Sequence, residues 1–171
     1  MLTIGISIEV PEPYGGYLQD AREAFGDPLA RAIPAHITLL PPTVIDPADA
    51  APVAGHLAEV ATAYAPFDVI LSGTGTFRPV SPVAFVALAS GAEQCAALES
   101  AVRAGPLARE LDFPYHPHVT IAHHLDDAAL TRAQAQLANF RAAFRVSALH
   151  LYHHGDDEIW RPVQAFDLTG V

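Results

Sequence analysis

Two short segments, His36-Ile37-Thr38-Leu39 and His118-Val119-Thr120-Ile121, share one order of residue types and lie 82 residues apart in a chain of 171. Each sits in an apolar stretch that reads as a β-strand. Successive strand side chains point to opposite faces, so each His shares a face with the Thr two residues on, while Ile37, Leu39, Val119 and Ile121 turn into a core. Each segment thus presents an imidazole that can move a proton near neutral pH, beside a hydroxyl that can hydrogen-bond an anionic oxygen. Two such units facing each other would flank a phosphorus atom. With nine His and nine Thr in the chain, random order would give roughly 0.5 such patterns. Their matched apolar offsets, the Pro-containing approach to each and their equivalent places in an internal repeat set the two apart from accident.

The elements that must position them follow from periodicity. Leu2, Ile4, Ile6 and Ile8 alternate with polar or small residues as in a half-buried strand, and residues 14 to 25 read as a helix. The His36 strand comes next. Asp46-Pro47 looks like an N-cap with proline in the first turn, and Val53, Leu57, Val60 and Tyr64 mark one helical face. Phe67, Val69 and Leu71 alternate again, and Gly73, Gly75, Pro79 and Pro82 punctuate the end of the first half. The order then repeats: an apolar strand from Val83 to Ala89, a helix with Cys95, Leu98 and Val102, the His118 strand, and a helix with Leu130, Ala133, Leu137 and Phe140. A closing strand carries Phe144, Val146 and Ala148, and a final strand runs from about Glu158 to Leu168. The expectation is one domain, residues 1–171, built from two strand-helix-strand-helix-strand repeats over about 1–80 and 81–171.

Composition removes several functions. All nine basic residues are arginine, so mechanisms that need a lysine, such as a lysyl-nucleotide intermediate, a Schiff base or a P-loop, are excluded. The net charge of −10 argues against an extended nucleic-acid surface but permits a small or terminal phosphate in a local cleft. Arg31, Arg78, Arg109 and Arg161 lie near expected strand ends and could grip it with a planar fork. Cys95, the only cysteine, falls on an apolar helical face and reads as a packing residue. The start of the chain does not read as a signal peptide and no segment is long and apolar enough to span a bilayer, so a cytoplasmic monomer without a membrane partner is expected.

The segments Pro34-Ala35-His36-Ile37-Thr38-Leu39-Leu40 and Tyr115-His116-Pro117-His118-Val119-Thr120-Ile121 resemble the two motifs of the two-histidine (2H) phosphoesterase superfamily, in particular its bacterial 2'-5' RNA ligase / RNA 2',3'-cyclic phosphodiesterase group. Gly75-Thr76-Phe77 through Val83-Ala84-Phe85-Val86 is similar to the family's mid-chain strand pair. The resemblance implies a bilobal α+β fold, two antiparallel sheets forming a central cleft with helices on the outer faces, no metal and no cofactor. It implies chemistry on cyclic or 2'-5'-linked phosphoesters, with His118 as base and His36 as acid in hydrolysis, although the sequence itself does not order them. One departure bears on the phosphate: where members often carry an Arg shortly after the second motif, this chain has His123 and His124.

Opening a 2',3'-cyclic phosphate by water is an in-line displacement in which one group takes a proton and another gives one. His36 and His118 suit those roles, and Thr38 and Thr120 suit the nonbridging oxygens. Tyr115, His123, Arg78, His150 and Tyr152 are further candidates for substrate contacts, and Tyr14, Phe77 and Trp160 join Tyr115 as aromatics that could meet a base. The partner expected is an RNA end or a small cyclic nucleotide, and reversal would give 2'-5' ligation. Two alternatives stay open: a binding module for RNA termini without turnover, and a metal site built from the His116, His118, His123, His124 cluster or the His150, His153, His154 cluster.

Overall fold

Strands rich in Ile, Val and Leu alternate with amphipathic helices, and the computed structural model, which describes residues 1–171, assembles them around one apolar core. In chain order the elements are β1 (Leu2–Glu9), α1 (Tyr14–Ala24), β2 (His36–Ile45), α2 (Ala50–Ala63), β3 (Phe67–Thr76), β4 (Val83–Ser90), α3 (Ala92–Val102), β5 (His118–His123), α4 (Asp127–Gln136), β6 (Arg141–Val146), β7 (Ala148–His154) and β8 (Trp160–Asp167). Local signals set several boundaries. Asp46 caps a 3₁₀ turn, its carboxylate accepting from the Ala48 N–H, before α2 begins, and Asp126 caps α4 by accepting from the Ala129 N–H. Buried Val53, Leu57 and Val60 on α2, Cys95, Leu98 and Val102 on α3, and Leu130 and Ala133 on α4 are the apolar stripes that the 3.6-residue period demands.

The α+β class is as expected, but the strands form one sheet rather than two. Its order is β6-β3-β4-β5-β2-β1-β7-β8, antiparallel throughout and curled into a half-barrel. The two sides meet at β2 and β5 through the rung Ile37↔Val119, where two fully buried β-branched residues face each other. The two antiparallel sheets that the family resemblance implies are here joined by this one short seam into a single sheet. Nor does each side draw on one half of the chain: β3 crosses to pair with β4 and β6, and β7 returns to pair with β1. The single closing strand expected around Phe144 to Ala148 is two strands, β6 and β7, split at Ser147.

Candidate functional site

The Ile37↔Val119 rung dictates the site. In an antiparallel pair the residues flanking a rung also stand opposite each other, so His36 faces Thr120 and Thr38 faces His118 across the seam. The four side chains form a two-by-two array on one face of the sheet, with the two histidines on one diagonal and the two threonines on the other. Ile37 and Val119 point the other way and are fully buried, locking the register, because a one-residue slip would exchange core for site. Next along the sheet, Glu9 pairs with His36 and Ser7 with Thr38 on one side, while Phe85 pairs with Thr120 and Ala87 with His118 on the other.

Both imidazoles are held the same way. His36 Nδ1 lies 2.8 Å from the Pro34 carbonyl oxygen and His118 Nδ1 lies 2.6 Å from that of His116. A carbonyl only accepts, so each Nδ1 carries the hydrogen and each Nε2 is left free to take up a proton. Burial pushes the His36 pKa down to about 4, against the pull of its carbonyl bond and helped by the nearby positive charge of Arg22. His118 is also pushed down, first by burial, with His116 adding to it. Burial thus favours the neutral form of both rings.

The array opens on one side into a cavity of about 350 Å³, into whose wall His36, Thr38 and Thr120 enter together with Ser7, Arg22 and His123. Its wall also has apolar residues, among them Leu29, Ile33, Pro41, Pro42 and Trp160. Residues 25–35, which connect α1 to β2, rim the cavity and are tied at both ends. The His123 N–H donates to the Asp27 carboxylate at 2.9 Å, and the Trp160 N–H donates to the Ala32 carbonyl at 2.8 Å. Gly5 leaves room for the indole, since a Cβ there would meet Trp160 Cζ3 at 3.2 Å. His118, at the opposite corner of the array, does not line this cavity. The ring of His118 packs against Phe77 and Phe85, with centroids 4.8 and 5.3 Å away. The array is thus symmetric in backbone and asymmetric in access.

A match to a family model over residues 10–158 decides the lineage. The chain belongs to the 2'-5' RNA ligase superfamily. It is similar to a provisionally named phosphoesterase of Bacillus pumilus, with 27% identity over 156 residues, 88% of this chain and 91% of the relative. It is likewise similar to one of Bacillus cytotoxicus, with 26% identity over 144 residues, 83% of each chain. In fold it is similar to E. coli LigT, solved in complex with 3'-AMP, with a TM-score of 0.71 over 98% of both chains at 14% identity. A 2H phosphoesterase of this superfamily is thus established at the level of family and fold.

Against that family background the remaining candidates separate. His123 and Tyr152 line the cavity, and the Tyr152 hydroxyl donates to Glu9 at 2.6 Å. His150 instead turns to a smaller cavity of about 160 Å³ beside Glu9 and Arg145, so it does not meet the array's open side. Arg78 is spent on structure: its guanidinium donates to Thr76, the Asp127 carbonyl, Thr131 and Gln134, clamping α4 onto the end of β3. Tyr115, expected at an exposed rim, is half-buried and donates its hydroxyl to the Thr38 carbonyl at 2.7 Å, supporting the β2 backbone from behind. Arg31 and Arg161 pair with surface carboxylates and Arg109 with Thr43, all away from the cavity. Of the four aromatics only Trp160 lines the cavity; Tyr14 packs edge-on to Phe140. Neither histidine cluster gathers three or more His, Cys, Asp or Glu donors around a common point.

Two residues were not anticipated. Arg22 and Asp27 form an ion pair at 2.7 Å beside His123, with Arg22 9% exposed and the Asp27 side chain fully buried. The signal was present in α1, where Gly15, Leu18 and Arg22 make the buried stripe, so that an arginine stands where the period calls for an apolar residue.

Proposed function

We propose that this chain is a phosphodiesterase that opens a 2',3'-cyclic phosphate, at an RNA end or in a small cyclic nucleotide, to a phosphomonoester, with its 171 residues acting as one domain. The observation that carries this is the two-by-two array. Two imidazoles held alike at Nδ1 stand on one face of adjacent strands, each opposite a threonine, and such an arrangement suits an in-line displacement at phosphorus. One imidazole takes a proton from the attacking water as the new P–O bond forms. The other gives a proton to the 2' or 3' oxygen as its bond to phosphorus breaks. Thr38 and Thr120 hold the nonbridging oxygens and offset the charge that accumulates there.

Burial favours the neutral form of both rings, so the acid is charged with the help of the substrate it serves. A phosphate anion placed between them favours the charged form of each ring and opposes the effect of burial. Burial lowers both rings and each keeps its Nε2 free, so either can take the proton while the other gives one. The apolar residues of the cavity wall, Leu40 and Trp160 among them, suit a base or another flat organic group on the ester. LigT has been solved with 3'-AMP and with phosphate, which fits a nucleotide-sized occupant here. Reversal of the same steps would join a 2' or 3' end to give ligation.

The test is incubation of the purified protein with 2',3'-cyclic AMP and with a short RNA ending in a cyclic phosphate, with and without EDTA. Turnover that persists in EDTA and disappears in both His36→Ala and His118→Ala is expected, and the product isomer identifies the bond broken. Tight binding of a nucleoside monophosphate without any turnover would instead make the fold a binding module. Turnover abolished by EDTA would require a metal that the two-histidine scheme does not use.

A further inference from the structure

We infer that Arg22, held by Asp27, is the anion grip of this site. The inference rests on the cavity being a phosphodiester site and adds the group that holds the phosphate charge. It starts from the end of α1. Gly26 adopts φ +91, and the Gly26 and Asp27 N–H groups donate back to the Glu23 and Arg22 carbonyls, closing the helix in a left-handed turn. That reversal brings Asp27 under Arg22. The carboxylate accepts from Arg22 Nε at 2.7 Å, from the Leu29 N–H at 2.9 Å and from the His123 N–H at 2.9 Å. Asp27 thereby joins α1, the cavity rim and the last residue of β5.

The guanidinium uses only Nε in this pair. Its two terminal nitrogens have no protein partner and are reached by solvent, since the only buried polar side-chain atom without a partner is His150 Nδ1. Arg22 enters the cavity wall beside His36, Thr38, Thr120 and His123. A fork whose Nε edge is fixed to a carboxylate presents its end-on pair of N–H groups to the cavity in a preset plane, the geometry that suits two oxygens of one phosphate. It is also the only arginine in that wall, where Glu158 is the one carboxylate. One cation with one free edge matches the single charge of a phosphodiester and offers nothing further to a polyphosphate tail. The influence of Arg22 on both His36 and His123, lowering each, is consistent with its place between them.

The experiment measures the affinity of inorganic phosphate by NMR titration of wild type, Arg22→Lys, Arg22→Gln and Arg31→Lys, beside turnover of 2',3'-cyclic AMP. Lysine keeps a charge for Asp27 but loses the fork, so Arg22→Lys is the informative variant, with its melting curve recorded to show that it is folded. At least a tenfold loss of phosphate affinity is expected in folded Arg22→Lys, a loss at least as large in Arg22→Gln, and none in Arg31→Lys, whose side chain pairs with Asp20 and Glu23 outside the cavity. Wild-type affinity in folded Arg22→Lys, or an equal loss in Arg31→Lys, overturns the assignment. The two readings fail separately. Phosphate binding that needs Arg22 in a protein with no turnover leaves the anion site and removes the diesterase, whereas turnover that needs both histidines but not Arg22 does the opposite.

Discussion

Replacing Asp27 by alanine should be among the most costly single changes in the protein, and the cost can be worked from its contacts. The fully buried carboxylate accepts one charge-assisted bond and two backbone N–H bonds. Removing one partner of a buried ion pair costs roughly 3–5 kcal/mol, because the other charge stays behind without compensation. Each stranded N–H could add about 1–3 kcal/mol where water cannot reach it. The adjoining cavity admits water to Arg22, which keeps the total near the ion-pair range rather than the sum. The expected loss for Asp27→Ala is therefore about 3–5 kcal/mol, a fall of roughly 6–20 °C in Tm for a chain of this size. Asp27→Asn retains an acceptor oxygen and should lose about 1.5–3 kcal/mol, the range of a hydrogen bond to a charged group. Urea unfolding at pH 7 measures both, with Asp20→Ala as control, since that carboxylate pairs with Arg31 on the surface and its loss should leave the midpoint in place. A loss below about 1 kcal/mol for Asp27→Ala would refute the claim that this pair fixes the cavity rim.

Four further outcomes are expected. His36→Ala and His118→Ala should each lower kcat for the cyclic phosphate by ~10² to 10⁴, the usual worth of a positioned acid or base, and a variant retaining more than a tenth of wild-type turnover would remove that histidine from the chemistry. The His36 pKa is lowered from 6.5 to about 4. Its neutral burial therefore contributes fully to stability above pH 6.5, and the contribution is lost as pH falls from 6.5 toward 4, because the unfolded chain takes the proton first. Urea midpoints recorded across that window should fall more steeply for wild type than for His36→Gln. Phosphate binding should be accompanied by proton uptake near pH 7, visible in calorimetry as a dependence on buffer ionisation enthalpy, and absence of that dependence would mean that neither ring is charged by the ligand. Gly75→Ala should reduce turnover, because its Cβ would lie 2.6 Å from Phe85 Cζ and drive that ring against His118; Gly75→Ala with Phe85→Leu should recover part of it.

How much of this could be read before the structure differs from residue to residue. The strands bearing His36 and His118, the helical stripes and the Asp46 cap are local, and period 2, period 3.6 and a capping side chain are all written within a few neighbouring residues. The placing of His36 opposite Thr120 is not local. It depends on a single rung, Ile37↔Val119, between strands 82 residues apart, and nothing in either segment names its partner. The misplaced candidates have the same origin. Arg78 and Tyr115 are polar groups near the motifs, but Gln134 and the Thr38 carbonyl, which engage them, lie 56 and 77 residues away. Proximity in sequence drew them toward the site, while the bonds they make direct them elsewhere.

Arg22 shows the converse. It lies 14 residues before His36 in a helix with no motif, so a reading tied to histidine and threonine passes over it. What marks it is a contradiction between periodicity and chemistry, an arginine in line with Gly15 and Leu18 on the side of α1 that faces inward. A charge is kept out of water only where something offsets the cost, and here Asp27 offsets it, placed by the Gly26 turn one residue earlier. The cost of burying that pair makes sense if its free edge serves an anion. A protein needing only a stable junction between α1 and β5 would be served as well by apolar residues of the same volume. The same logic orders the whole site: β2 and β5 bring two imidazoles and two hydroxyls to one face of the sheet, α1 sets Arg22 in the cavity wall beside them, and Phe77 with Phe85 packs against His118.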